Sequence, residues 1–272
     1  MIQNLHTHTS FCDGRNSPEE IIHEAIRLGM DSLGFSSHAP CPVPEDSAGM
    51  KPDDVPAYRA EILRLREKYA GRLNIFLGLE RDFFFFPDGD GWDYVIGSVH
   101  YVEKEGRALP VDYLPEEFSR TVFQYYGGDY YAFAEDYYRL VGGIAERTGC
   151  QIVGHFDLIT KFNEGDKLFD TSHPRYVNAA LGALERLAGR DVIFEINTGA
   201  MSRGYRSEPY PAPALLRAMR DMGLPICITS DSHSAGTLLH AFPQAVELAR
   251  SCGYREQMVL TRQGFQPVEL TN

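Results

Sequence analysis

No two cysteines stand two residues apart, no apolar run is long enough to cross a bilayer, and only one tryptophan occurs in 272 residues. Each shortage excludes something. The five cysteines, Cys12, Cys41, Cys150, Cys227 and Cys252, are odd in number and widely spaced, which argues against a disulfide framework. Cys150 and Cys227 lie in apolar runs and are expected to be buried thiols. Cys12 adjoins a candidate ligand loop, but a soft sulfur is unusual at a hard, oxygen-rich metal site. The start of the chain carries no charged segment followed by an apolar one, so a cytoplasmic protein without membrane contact is expected. Basic residues are also scarce. Lys and Arg number 26 against 38 Asp and Glu, a formal charge of −12 that speaks against a broad nucleic-acid surface. A small anion can still bind where metals and a few local cations reverse the field. There is no internal repeat, no linker rich in Pro, Gly or Ser, and no glycine loop of the P-loop type. Residues 1–272 therefore read as one domain.

What is present is an alternation of short apolar stretches with helical patterns. Strands are expected at 2–6, 31–36, 73–79, 93–99, 150–154, 191–196 and 225–229, with a further one at 257–260. The first helix opens on a capping box of Ser17 and Glu20 with Pro18 at its first position, and it stops at Gly29. Val55, Tyr58, Ile62, Leu65 and Tyr69 mark a second helix, and further helices fit 174–188, 211–222 and 243–250. This rhythm predicts a parallel α/β sheet, and a closed barrel is preferred over an open one because polar residues follow nearly every strand. An insertion at about 101–148 is dense in aromatics. It is expected to be a helix pair packed on the barrel wall, or a cap over the substrate.

The polar residues are of metal-ligand type. His6 and His8 stand at i and i+2 near the first strand and so project from one face. Asp13 follows in a turn. His38 comes after the second strand, Glu80 ends the third, His100 ends the fourth, His155 ends the fifth, and Asp231 and His233 follow the seventh. Imidazole and carboxylate suit divalent ions, and nine candidates are too many for one four-coordinate site but about right for two or three. His23 and His240 lie within helical patterns and His173 precedes a helix, so all three are read as structural. Asp157 reads equally as an orienting partner for a ligating histidine or as a cap in its own loop.

The ordered motifs HTHTSFCDG, SSHAP, GLE, GSVH, GHFD, EINTG and SDSH resemble those of the polymerase and histidinol phosphatase (PHP) family of metal-dependent phosphoesterases, over almost the whole chain. The resemblance implies a distorted seven-stranded (β/α)7 barrel, similar to a TIM barrel, with a trinuclear centre. It places His6, His8, Glu80 and Asp231 on a first ion. Glu80 would bridge to a second ion held by His100 and His155, and Asp13, His38 and His233 would hold a third. The family sometimes has His where Asp13 stands, and zinc, iron and manganese all suit the donor set. The implied reaction is hydrolysis of a phosphate monoester, with L-histidinol phosphate as the expected substrate in histidine biosynthesis. A metal-bridging hydroxide would attack, and Asp231, His233 or His38 would protonate the leaving oxygen.

Phosphate calls for fixed cations. The family places an arginine in the loop that here holds Arg203, with Arg206 as the alternative register and Lys161 as a second cation. Asn197 is expected to orient that loop or a metal-bound group. For an ammonium or imidazole on the substrate, Asp82, Asp112 and Glu135 are available. Hydrolysis of nucleotides or oligonucleotides is the competing reading, since a base can stack on the aromatic insertion, but the basic residues form no stripe. A catalytically silent scaffold is the third, and it conflicts with a complete ligand set.

Overall fold

The computed structural model describes residues 1–43 and 46–270. Pro44, Glu45, Thr271 and Asn272, part of the expected 1–272 domain, lie outside the described residues. The chain runs β1 (Gln3–Asn4), α1 (Pro18–Arg27), β2 (Ser32–Phe35), α2 (Val55–Lys68), β3 (Asn74–Asp82) and β4 (Tyr94–Ser98). After β4 comes the insertion, with β5 (Tyr101–Lys104), β6 (Arg107–Pro110), α3 (Pro115–Tyr126), α4 (Tyr130–Val141) and α5 (Ile144–Thr148). There follow β7 (Ile152–Val153), α6 (Pro174–Leu187), β8 (Ile193–Asn197), α7 (Gly199–Ser202), α8 (Pro213–Asp221), β9 (Ile226–Thr229), α9 (Phe242–Ser251), β10 (Glu256–Thr261) and β11 (Gly264–Glu269).

Seven strands pair in parallel in the order β1-β2-β3-β4-β7-β8-β9. Beyond the ends of β1 and β9, Thr7 pairs with Ser232, with His8 N donating to Ser232 O at 2.8 Å and Ser232 N to His6 O at 3.0 Å. This last pairing joins the two edges and makes the expected seven-stranded barrel. The lumen is filled by Leu5, Phe76, Tyr94, Ile96, Ile152, Ile193 and Cys227. Tyr94 donates its hydroxyl to Leu5 O; a Cβ on Gly34 would stand 2.3 Å from that hydroxyl oxygen, and one on Gly78 2.3 Å from the ring. Glycine there is a packing requirement.

The expected strand at 257–260 belongs to an antiparallel hairpin, β10–β11, outside the barrel sheet. Leu260 enters the lumen cluster from below, and the Gln3 side chain clamps it by donating to Leu260 O at 2.9 Å and accepting from Leu260 N at 2.7 Å. The hairpin is the floor of the barrel.

Both helix-start readings hold. Ser17 and Glu20 form the reciprocal box, and His173 caps α6 by accepting from Arg175 N at 3.2 Å. The insertion differs from the expected helix pair. It opens with a hairpin turning on Glu105 and Gly106, at φ 51° and 72°, which matches the twist of the flanking strands, and continues with three helices. Phe118, Phe133, Tyr137 and Tyr138 are buried against the wall, where Tyr138 donates to the Tyr176 hydroxyl at 2.8 Å and Tyr137 to Phe156 O at 3.1 Å. Among the described residues no helix is long and apolar enough to cross a membrane.

Truncating the floor residue tests this packing. Leu260→Ala should destabilise the protein by about 2–4 kcal/mol, read as a lowered thermal midpoint, while bound metal per chain stays constant. An unchanged midpoint would show that the hairpin does not seal the lumen.

Candidate metal centre

Glu80 lies near the end of β3, a strand that continues five residues past Leu77, its last residue paired with β2. The extension is held by His38, which bridges to Glu80 in parallel register, with Ala39 N donating to Glu80 O at 2.7 Å. The carboxylate is 1% exposed. Its Oε2 is approached by His38 Nδ1 at 2.9 Å, His6 Nε2 at 3.2 Å and His8 Nε2 at 3.5 Å. Its Oε1 is approached by His155 Nε2 at 3.2 Å and His100 Nε2 at 3.6 Å, and it accepts from Ser98 Oγ at 2.6 Å.

Asp231 forms a second focus. Its Oδ1 lies 3.2 Å from His8 Nε2, 3.4 Å from His233 Nδ1 and 3.7 Å from His6 Nε2. Its backbone sits at φ 46°, a left-handed conformation that Asp tolerates better than most residues and that turns the chain sharply after β9. Asp13 completes the third focus, 3.2 Å from His233 Nε2 and 3.8 Å from both His8 Nδ1 and His38 Nε2. All nine candidate ligands thus stand at one end of the barrel. Their donor atoms fall into three tight groups: His6, His8 and Asp231; His8, Asp13, His38 and His233; and His38, Glu80 and His100. His155 joins the last group through Glu80.

The electrostatics suit cations. Burial alone would neutralise Glu80 and Asp231, yet surrounding imidazoles, and Arg203 in the case of Asp231, hold both well below the usual carboxylate range. Burial opposes charge on His6 and His38 too, but the carboxylates raise both well above 6.5, and His100 is raised to about 9. His8 goes the other way, down to about 3, through burial and the neighbouring His233 and His38. His6 Nε2, His8 Nε2 and Glu80 Oε2 are buried and close together, yet none makes an aligned hydrogen bond. Buried polar atoms are rarely left so, and lone pairs converging on one point fit a divalent ion.

Other residues hold this set in place. Asp82 accepts from His100 N at 2.7 Å and faces its Nδ1 at 3.2 Å. Glu195 faces His6 Nδ1 at 2.8 Å. Cys12 Sγ stands 3.6 Å from His8 Nδ1, the nitrogen that also lies 3.8 Å from Asp13. Glu195 has no counterpart in the candidate set read from sequence. The available signal was its place as a lone acid within the apolar run of β8, where an ion is costly unless bound. Asp157 neither caps its loop nor touches the His155 ring; it accepts from Ala212 N at 2.9 Å and ties down the segment after α7.

The three candidate substrate cations separate. Arg203 NH2 donates to Asp231 Oδ2 at 3.0 Å, and its NH1 lies 3.1 Å from His233 Nδ1. A Cβ on Gly199 would stand 2.7 Å from Asp231 Oδ2, so glycine lets this loop close on the centre. Lys161 donates to Asp112 Oδ2 at 2.9 Å and Asp112 O at 2.8 Å. Arg206 turns to Thr160, donating to its O and Oγ1 at 2.9 Å each. Of the acids considered for a substrate cation, Asp82 holds His100 and Glu135 is paired with Arg175 at the surface, at 2.7 Å. His23 bonds Tyr69 at 2.7 Å, outside the centre.

Comparison with known proteins agrees with this architecture. The family model of the PHP domain matches residues 4–199, which include seven of the nine candidate ligands and stop short of Asp231 and His233. A protein of Deinococcus radiodurans named "Probable histidinol-phosphatase" is 36% identical over 262 residues, covering 92% of this chain and 93% of that protein. The Bacillus subtilis protein named "Histidinol-phosphatase" is 28% identical over 265 residues, covering 89% of this chain and 97% of that one. In fold, the chain is similar to the crystal structure of histidinol phosphate phosphatase from Lactococcus lactis complexed with zinc, L-histidinol and phosphate. The TM-score is 0.70 at 21% identity, over 97% of this chain and 98% of that one. The nested carboxylates and imidazoles at the barrel mouth are therefore those of a PHP barrel, and the chain belongs to the PHP domain family.

Proposed function

We propose that this protein hydrolyses L-histidinol phosphate to L-histidinol and phosphate at a centre of three divalent ions. The observation that carries the reading is the nesting of Glu80 among His6, His8, His38, His100 and His155, with Arg203 anchored on Asp231 beside it. The relatives' names supply the substrate.

His6, His8, Glu80 and Asp231 would hold the first ion, Glu80, His100 and His155 the second, and Asp13, His38 and His233 the third. Zinc, iron and manganese suit these donors. Bound there, such ions supply a hydroxide nucleophile at neutral pH and offset charge on the phosphoryl oxygens. The protein's own groups do the rest. Arg203 offers a planar, permanently charged donor pair to the phosphate, held in place by Asp231. Asp231, His233 and His38 are the groups placed to deliver a proton to the leaving oxygen. His38 and His233 are the more open of the three, with side chains 17% and 24% exposed.

Asp112 is the acid assigned to the substrate ammonium. Burial opposes its charge, but Lys161 and His100 bring its pKa down to about 2, so it is ionised and in electrostatic reach of the ligands. Lys161 Nζ lies 5.5 Å from the Phe162 ring centre and 5.2 Å from that of Tyr205. On this reading the substrate lies beside the Lys161–Asp112 pair, with its ammonium toward the acid, its phosphate toward Arg203 and an aromatic wall alongside. A nucleotide lacks the ammonium. The complete ligand set disfavours a silent scaffold.

Phosphate release from metal-loaded protein should favour histidinol phosphate over nucleotide monophosphates and a generic aryl phosphate; a preference for nucleotides by orders of magnitude in kcat/KM would overturn the assignment. Asp112→Asn should raise KM for histidinol phosphate about tenfold, the loss of roughly 1.4 kcal/mol, while sparing the aryl phosphate. An equal loss on both substrates would remove Asp112 from ammonium recognition. The raised His6, His38 and His100 have a further consequence. Their folded pKa values exceed the ordinary 6.5, so in metal-free protein at pH 7.5 they keep protons that a metal must displace. Adding zinc in weak buffer should acidify the solution by more than one proton per chain, and apparent affinity should fall as pH falls. Binding without proton release would contradict the ligand set.

A further inference from the structure

Four donors converge on the fully buried carboxylate of Glu195. His6 Nδ1 and Thr229 Oγ1 meet Oε2 at 2.8 and 2.7 Å, while His155 N and Asn197 Nδ2 meet Oε1 at 2.6 and 2.7 Å. An ionised carboxylate can only accept, so the His6 nitrogen that faces it, Nδ1, keeps its proton, and Nε2, which faces Glu80 and Asp231, is the nitrogen left to give up its proton and offer a lone pair to a metal. The other oxygen holds a different part of the molecule. Asn197, tied to Oε1, accepts from Gly199 N at 2.8 Å through its own carbonyl oxygen, and Gly199 begins the loop that ends at Arg203. Arg203 in turn grips Asp231.

We propose that Glu195 is a positioning residue with two separable arms: Oε2 sets the tautomer of His6 for metal binding, and Oε1 sets, through Asn197, the placement of the Arg203 loop for anion binding. The inference rests on His6 being a ligand of the first ion, but not on the identity of the substrate.

The chemistry of the amide isostere makes this testable. A glutamine at 195 must turn its carbonyl toward His155 N and Asn197 Nδ2, because neither of these donors can reverse. Its NH2 then faces His6 Nδ1, which must become the acceptor. The imidazole proton moves to Nε2, and the nitrogen aimed at the metal can no longer bind it.

The experiment uses full-length protein stripped of metal and titrated with cobalt(II), whose visible absorption reports the ligand field. The inhibition constant of inorganic phosphate is measured in parallel on metal-saturated protein with an aryl phosphate. Glu195→Gln should weaken the tightest cobalt step by about 10–100-fold, the usual scale for losing such a partner, and alter the spectrum, while the phosphate constant stays within about twofold because the amide carbonyl still accepts from Asn197. Thr229→Val trims only the Oε2 arm and should weaken cobalt binding with the phosphate constant within about twofold. Asn197→Ala trims only the Oε1 arm and should do the reverse. These two variants carry the test if Glu195→Gln does not fold. Unchanged cobalt affinity and spectrum in Glu195→Gln, or equal losses of both properties in Thr229→Val and Asn197→Ala, would overturn the proposal. A protein that ignores histidinol phosphate but shows the two separable arms would refute the substrate and leave Glu195 in its role.

Discussion

One buried carboxylate organises this molecule. Glu80 is 1% exposed, and an isolated carboxylate so placed would be neutral or destabilising. It is neither, because imidazoles reach it from the ends of β1, β2, β4 and β7. That arrangement needs the strand ends on one rim and the rim drawn closed, which the pairing of Thr7 with Ser232 achieves. The lumen below serves the same end: Tyr94 and its glycine neighbours fill the barrel, and Leu260 stops it from beneath. A packed interior gives the rim a rigid base, and a metal cluster needs ligands that are held rather than gathered.

Around that carboxylate, charge is distributed against the trend of the chain. The protein carries −12 overall, yet Arg203 reaches the mouth and Lys161 is buried beside Asp112. Each is paired with an acid, Arg203 with Asp231 and Lys161 with Asp112, so neither stands as a naked charge, and each is held in direction by its partner. The difference between the acids lies in their other neighbours. Asp231 is shared with His6 and His8, whereas Asp112 is held by Lys161 and is the acid proposed to meet a cationic substrate group.

Much of this was legible along the chain. The ligands were readable because each sits at or just after a short apolar run, and a barrel converts recurrence along the sequence into convergence in space. The parts that were not legible share a cause. Glu195, Asp82 and Ser98 act through hydrogen bonds to residues far away in sequence, so nothing in their local pattern names the partner. Asp157 read equally as a partner of His155, two residues away, or as a cap in its own loop, but its carboxylate faces Ala212. Arg206 stood as the alternative register to Arg203, and three residues of chain turn it toward Thr160 instead. The insertion hid a hairpin at its start because the turn Glu105-Gly106 stands among charged residues with little apolar contrast.

Sequence alone determined the order of the seven barrel strands, the nine metal-type side chains and the family likeness, because periodicity and residue chemistry are local properties that each segment carries with it. Tertiary structure decided which oxygen of Glu80 meets which imidazole, that His6 leans on Glu195, that Lys161 is answered by Asp112, and that Arg203 rather than Arg206 reaches the centre. Those choices depend on distances of a few ångströms between segments that only barrel closure brings together.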